Sequence, residues 1–380
     1  MLVVKVLKGN GVVVGVTVGA RALRNLLKQE AGPRILKTVE ASEKEQMKLF
    51  YFNGSCVDVE RQTIDGVYLD RKRGIWKTKT FEYPDVIYNR GGGAIFTSAS
   101  EKARKFREQM EEKNIPSINY LRGFNKLDLY SILKKNEKLR EYLPFTKRVR
   151  SVKVLDDFFA KESAGFIKAF NGRKGEQVIK VEKTGPFFTY RYYKEGLFTG
   201  RSGSTKQLYE DVKEVLGNKP FLIQTAIDLM RYNNRVTDMR AELQRNGEKE
   251  LEVVAICSRV SQVGSPITTH SESFPYDEFL KEKLQFSHEA FEVADRKIEA
   301  FLTDCYEALE GHYGPVGELG IDFALDRNGK VWFIESNAHS AKVSVVKAYE
   351  EDVVEKVFEN PLRYGKRLVY EKHGIPWDEE

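Results

Sequence analysis

The stretch from Gly320 to Asn337, GIDFALDRNGKVWFIESN, decides how this chain is read. Two apolar, β-prone runs, IDFAL and VWFIE, flank Asp326-Arg327-Asn328-Gly329, and an Asn-Gly pair between such runs is the strongest short hairpin signal. A two-residue loop at Asn328 and Gly329 sets Arg327 opposite Lys330, and counting back along the ladder sets Asp322 opposite Glu335. Side chains alternate with period 2, so Glu335 and Asn337 share that face. Like charges directly opposed destabilise a sheet, so removing one of them should leave the metal-free fold no less stable. A hard cation would relieve the conflict, because Mg²⁺ takes carboxylate and carbonyl oxygens and usually sits between one or two carboxylates and phosphates. Asp322, Glu335 and Asn337 are therefore candidate metal ligands, with solvated acids on a surface hairpin as the alternative.

The length of 380 residues allows two or three domains with real cores, and 41% hydrophobic with 31% charged residues indicates a soluble globular chain. A net charge of +6, with Lys and Arg spread along the chain, suits an anionic ligand such as a nucleotide. It is a poor footprint for nucleic acid, and no RNA- or DNA-binding motif is present. Cys56, Cys257 and Cys305 are odd in number and widely spaced, which predicts free thiols in a reducing, cytoplasmic setting. GVVVGVTVGA at 11–20 follows Lys5 and Lys8 in the manner of a short signal peptide. LVVKVL, KGNG and VVVGVTV read better as two strands around a glycine turn. No apolar run reaches the ~20 residues of a membrane span.

Strand-like runs at 2–7, 12–18, 48–52 and 85–89 and a charged helix over 98–113 predict an N-terminal α/β unit. DVIYNRGGG at 85–93 ends in glycines that either admit an anion to backbone N–H groups or simply turn the chain. Asn125 is placed to N-cap a helix that runs to Leu143 and stops before Pro144. FLIQTAI at 221–227, AELQRN at 241–246 and LEVVAICSRV at 251–260 read as strands. A long helical pattern runs from Tyr276 to His312, and the chain from 341 onward is helical and charged.

In GFIKAFNGRKGEQVIKVEK, residues 165–183, an apolar strand delivers Lys168 just before a loop containing Gly172 and Gly175. Glycines let a backbone approach oxyanions closely, although an ordinary hairpin with Lys168 exposed fits the same residues. Gln224, Thr225, Ala226 and Ile227 offer main-chain donors and acceptors to a purine edge, and Asp228 is a candidate ribose ligand. Arg240 and Arg259 lie on the two strands that follow, and arginine's planar fork suits phosphate and acyl-phosphate oxygens.

The order of these elements resembles the ATP-grasp superfamily: Lys126 opening a helix, Lys168 with glycines following, a Gln hinge, Asp-x-Arg, a lone Arg, then Asp…Glu-x-Asn. Within it PDVIYNR, FNKLDLY, EYLPFT, FLIQTAI, TDMR and ELGIDFALDRNGKVWFIESN resemble the YheC/YheD family associated with endospore coats, over residues 84–341. The resemblance implies an α/β (α+β) ATP-grasp fold. Its parts would be an N-terminal α/β pre-ATP-grasp domain over 1–125, a small subdomain over 126–220 and a large subdomain over 221–380. It further implies that Lys126 and Lys168 contact the phosphates of ATP, that the Gly172 to Gly175 loop covers them, and that Gln224 to Ile227 hold adenine. Asp322, Glu335 and Asn337 would hold Mg²⁺, with Arg240 and Arg259 near the transferred phosphate. The sequence departs from the family pattern at Gln177, where a glycine is common, at Ala338-His339, where a small residue and proline are common, and at 265–273, the expected acceptor loop.

The implied activity is an ATP-dependent carboxylate–amine ligase acting through an acyl phosphate. Its substrates would be small-molecule or peptide carboxylates and amines, with spore-coat proteins as candidate partners and no nucleic acid or membrane partner. The alternatives are a nucleotide-binding structural spore protein without turnover and a small-molecule kinase.

Overall fold

Periodicity of 2 and of 3.6 residues sorts the described residues into three sheets with helices against them. The structure, a computed structural model, describes residues 11–91, 98–119, 124–170, 177–265, 267–268 and 272–377. The strand expected at 2–7, Gly92, Gly93, Gly172 and Gly175 lie outside the described residues.

The first sheet is built from β1 (Val13–Thr17), β2 (Lys48–Phe52), β3 (Val57–Asp58), β4 (Thr63–Asp70), β5 (Ile75–Glu82) and β6 (Val86–Asn89). Helices α1 (Ala20–Leu27) and α2 (Pro33–Lys44) connect β1 to β2, and α3 (Glu101–Glu112) follows β6, N-capped by Ser100. β1 runs parallel to both β2 and β6, and these strands are buried through Val14, Val16, Phe50, Tyr51, Val86 and Tyr88. Parallel strands covered on both faces read as continuous apolar runs, which is why β1 and β6 were visible in the sequence.

Helix α4 (Lys126–Lys135) begins where expected, with the Asn125 side chain accepting from the N–H groups of Leu127 and Asp128. It ends early. Asn136 takes an extended conformation and caps a separate 3₁₀ turn over Glu137–Tyr142, its side chain accepting from Lys138 N–H. The second sheet comprises β7 (Thr146–Val149), β8 (Ala164–Ala169), β9 (Val178–Thr184), β10 (Phe187–Tyr193), β11 (Leu197–Ser202) and β12 (Phe221–Thr225), in the order β11-β10-β9-β8-β12-β7. Helices α5 (Val152–Phe159) and α6 (Thr205–Leu216) cover one face, packing Leu155, Phe158, Leu208 and Val212 on Ile167, Ile179, Val181 and Ile223.

The third sheet is antiparallel: β13 (Arg231–Tyr232), β14 (Arg235–Arg245), β15 (Leu251–Val260), β16 (Glu272–Pro275), β17 (Glu318–Leu325) and β18 (Val331–Asn337), in the order β16-β15-β14-β17-β18 with β13 beside β14. The single helix expected over 276–312 is two pieces. A short helix α7 (Tyr276–Glu278) widens into a π-turn at Phe279–Lys283, Gln285 breaks the run with φ 57°, and α8 (His288–Tyr313) restarts with Ser287 as its N-cap. The chain ends in α9 (Val343–Ala348) and α10 (Glu351–Lys372).

Strand β14 shows how the third sheet is made two-faced. Met239, Ala241 and Leu243 point one way, joining Ile321, Phe323 and Phe333 under α4 and α8. Asp238, Arg240, Glu242 and Gln244 point the other way. Helix α10 carries Val354, Val357, Phe358, Leu362 and Val369 onto Val14, Val16 and Val86 of the first sheet. Among the described residues no helix is long and apolar enough to cross a membrane.

Candidate active site

The polar face of the third sheet gathers the candidate residues by register alone. Asp238 pairs with Arg259 across β14 and β15, Arg240 with Asp322 across β14 and β17, and Asp322 with Glu335 across β17 and β18. The opposition of Asp322 and Glu335 is as expected, but the chain reaches it differently. Asp326 N–H donates to Lys330 O at 3.0 Å and Gly329 N–H to Asp326 O at 2.9 Å, so the loop is Arg327-Asn328-Gly329, with Gly329 at φ 75°. Leu325 thus pairs with Val331 and Phe323 with Phe333. A bulge at Ile334 then absorbs one residue and returns Asp322 to Glu335. The Asp326 carboxylate fixes this turn, accepting from Asn328 N–H, Lys330 N–H and the Trp332 indole.

The two carboxylates are not left to repel each other. Asp322 is buried and clasped by the Nε and Nη2 of Arg240, the latter at 2.8 Å, while Arg259 Nη2 stands 3.2 Å from its Oδ2. Burial opposes its charge, but the two guanidinium groups outweigh burial and hold the carboxyl down to about 2. Glu335 receives Lys126 Nζ at 2.8 Å, and against burial this ammonium keeps its carboxyl below the ordinary range. Asn337 Nδ2 lies 3.4 Å from Glu335 Oε1. Arg240, Arg259 and Lys126 offset the repulsion between the two acids, so their opposition is not by itself an argument for a metal. Two carboxylates and an amide still make an all-oxygen donor set that fits a hard cation. Among the described residues no group of three or more His, Cys, Asp and Glu is placed to hold a metal ion by those side chains alone.

Lys168 lies on β8, buried, with its Nζ 2.7 Å from Gln224 Oε1, and Gln224 Nε2 donates in turn to Thr146 Oγ1 at 2.9 Å. The ammonium is held by a neutral acceptor. Burial first, and Lys126 second, push it down to about 8. Along the Gln224 to Ile227 segment, Thr225 N–H donates to Phe145 O and Ala226 N–H to Ala164 O, so two main-chain donors are engaged. The Ile227 N–H has no backbone acceptor among the described residues. Asp228 stands apart from the cluster, exposed, with its carboxylate 2.9 Å from Arg327 at the hairpin tip.

A second group of charges went unnoticed in the sequence. Glu318 and Lys342 are fully buried and paired, Arg90 from the end of β6 donates to Glu318 and to the Ser340 carbonyl, and Tyr88 donates to Glu318 at 3.0 Å. Ser340 donates to the buried Glu242 and lies 3.4 Å from Arg240 Nη1, linking this group to the candidate site. Gly320 makes the link possible, since a Cβ there would meet Ser340 Cβ at 3.1 Å and Arg240 Cδ at 3.4 Å. Alternation along β14 and β17 could have placed Glu242 and Glu318 on the polar face. Nothing local could have brought Arg90 or Lys342 to them.

Comparison with known proteins follows the same outline. The family model described as YheC/D like ATP-grasp matches residues 114–368. The chain is 27% identical over 308 residues to the endospore coat-associated protein YheD of Bacillus subtilis (strain 168), covering 80% of this chain and 67% of that protein. It is 22% identical over 315 residues to the endospore coat-associated protein YheC of the same strain, covering 78% and 81%. N5-carboxyaminoimidazole synthetase from Staphylococcus aureus, solved in complex with ADP, superposes with a TM-score of 0.54 at 10% identity, covering 94% of this chain and 77% of that one. At that identity the likeness is one of fold.

Proposed function

Because the chain belongs to the YheC/D-like ATP-grasp family, we propose that it is an ATP-dependent carboxylate–amine ligase working through an acyl phosphate. The observation that carries this reading is the convergence of Arg240, Arg259, Asp322 and Glu335 on one face of the third sheet, with Lys126 bonded to that face. Lys168 supports it from the second sheet as a buried ammonium with no carboxylate partner among the described residues. In the reaction, a substrate carboxylate oxygen forms a bond to the γ-phosphorus of ATP while the β,γ-bridging P–O bond breaks and ADP leaves with the electron pair. An amine then forms a C–N bond at the acyl carbon, the C–O bond to phosphate breaks, inorganic phosphate departs, and the amine loses a proton. Such chemistry asks little covalent help of the protein and depends on positioning and charge neutralisation.

Lys126 and Lys168 would neutralise the phosphates, with Gln224, Thr225, Ala226 and Ile227 along adenine, where the Ile227 N–H has no backbone acceptor among the described residues. Asp322, Glu335 and Asn337 would hold Mg²⁺, which when bound draws charge from the β- and γ-phosphates. For Glu335 to take up that role Lys126 must release it, and a phosphate oxygen is the acceptor that such an ammonium seeks. Arg240 and Arg259 would then face the transferred group.

The test is ADP release in the presence of Mg²⁺ and ATP across a panel of amino acids, peptides and polyamines. Release that requires a carboxylate and an amine together supports the ligase. Release with one substrate and a stable phosphorylated product would make it a kinase. Nucleotide binding with no turnover across the panel would favour a binding protein, a reading to which the departure from family pattern at 265–273 lends some weight. A role in the spore coat is proposed from the names of the relatives, and imaging a fluorescent fusion through sporulation tests it.

A further inference from the structure

Two Asp–Arg forks lie back to back on the polar face, and they are not equivalent. Arg240 gives its Nε and Nη2 to Asp322, and its Nη1 turns to Ser340 Oγ at 3.4 Å. Arg259 gives its Nε to Asp238 Oδ1 at 2.7 Å and its Nη2 to Asp238 Oδ2 at 2.8 Å, and the same Nη2 lies 3.2 Å from Asp322 Oδ2. Carboxylates therefore grip the Arg259 guanidinium from two sides. Its Nη1, with two N–H groups, has no acceptor among the described residues. A planar cation held at Nε and Nη2 with Nη1 open is a preorganised oxyanion donor, because no reorganisation is needed when charge develops in front of it. Asp238 itself is buried and holds one more bond, from the hydroxyl of Thr268, which lies in the connection between β15 and β16. Asp322 has a competing role as a candidate metal ligand, which leaves Asp238 as the carboxylate whose whole engagement is with Arg259 and this connection.

Resting on the phosphoryl-transfer reading above, we propose that Asp238 is a positioning residue: it orients Arg259 so that the free Nη1 edge meets the transferred phosphoryl group, and Thr268 locks Asp238 in that orientation. Neither residue need touch ATP. The effect should then appear in the binding of a transition-state mimic and not in the binding of the product nucleotide.

Calorimetric titration of the full chain with MgADP, alone and with aluminium fluoride, separates the two. Wild type should bind MgADP about a hundredfold or more tighter with the fluoride, as transition-state mimics do. Asp238→Asn should leave the MgADP dissociation constant within about twofold while removing about tenfold or more of the fluoride tightening. Arg259→Lys should remove a similar share, and the double variant should lose no more than the larger single loss, because the two act as one unit. Equal weakening of both complexes in Asp238→Asn, or additive losses in the double variant, would overturn the assignment. If Asp238→Asn does not fold, Thr268→Val keeps the question open to decision. It preserves both charges and should cost a severalfold loss of tightening that vanishes in an Arg259→Lys background, and an unchanged tightening overturns the proposal. If wild type itself shows no tightening by fluoride, the phosphoryl-transfer reading falls and this one with it. If wild type tightens and Asp238→Asn tightens equally, only the role of Asp238 falls.

Discussion

A lysine buried against a neutral amide is poised to hold its proton more tightly once an anion arrives beside it, and Lys168 is in that position. Its ammonium is held down to about 8 by burial and by Lys126, from an ordinary 10.5. A phosphate beside it would raise that value again, so binding of a non-hydrolysable MgATP analogue should be strong below pH 8 and weaken as pH rises through 8. Lys168→Arg cannot deprotonate in this range and should flatten the profile. Titrations between pH 6.5 and 9.5 would read this, and a flat wild-type profile would remove Lys168 from the phosphate site. The neighbouring carboxylates separate by burial and partner. Asp322 is clasped by two buried arginines, so Asp322→Asn should lower stability by about 3 kcal/mol, the cost of leaving buried charge uncompensated. This reverses the expectation drawn from opposed like charges, which counted only the two acids. Glu335 is a third exposed and has one lysine partner, so Glu335→Gln should change stability by less than about 1 kcal/mol yet still abolish Mg²⁺-dependent nucleotide binding. Urea unfolding of the two variants beside calorimetry separates the outcomes. If both leave stability untouched, the arginine clasp is weaker than its geometry suggests.

Among the elements, the hairpin of β17 and β18 was legible for a reason and in part by coincidence. The Asn-Gly signal located the turn, but the loop holds three residues and a bulge at Ile334 restores the register that a two-residue loop would have given. Both deviations are invisible to pattern reading, since each shifts pairing by one residue in opposite senses. Deleting Ile334 should therefore close the bulge while leaving Glu335 opposite Asp322 and Asn337 on the same face, so Mg²⁺-dependent nucleotide binding should be retained. Gly329→Ala, placed at positive φ, should cost only about 1 kcal/mol and leave binding intact. Lost binding in the deletion would mean that the bulge itself, and not register alone, aims Glu335 and Asn337 at the site. Helix α4 was readable from its Asn125 cap, while α1, α2 and the β4–β5 hairpin were not. Helix α1 buries only Leu23 and Leu26, and β5 buries only Trp76, so neither shows the apolar stripe that a reader follows. The split of the helical pattern at 279–287 was hidden because apolar spacing continues through the break.

Across the whole molecule, what was legible is what register carries, and what was not is what distant packing carries. Asp238, Arg240, Asp322 and Glu335 meet through ladders within one sheet, and counting residues reaches them. The Arg90–Glu318 pair joins residues 228 apart, and the core under α10 joins the last helix to the first sheet. These contacts tie the first and third sheets by a fully buried Glu318 between Arg90 and Lys342, and a buried charge that loses one partner is strongly destabilising. The two sheets should therefore unfold together. Single-tryptophan variants keeping Trp76, on the first sheet, or Trp332, on the third, should give coincident urea transitions. Leu362→Ala in α10, far from the candidate site, should lower both by the same amount, about 2–5 kcal/mol. Glu318→Gln should break the coupling, leaving Arg90 and Lys342 with uncompensated charge at the junction, and shift the Trp76 and Trp332 transitions apart. A Trp76 transition that already precedes the Trp332 transition in wild type would show that the buried charges join the sheets without making them one cooperative unit.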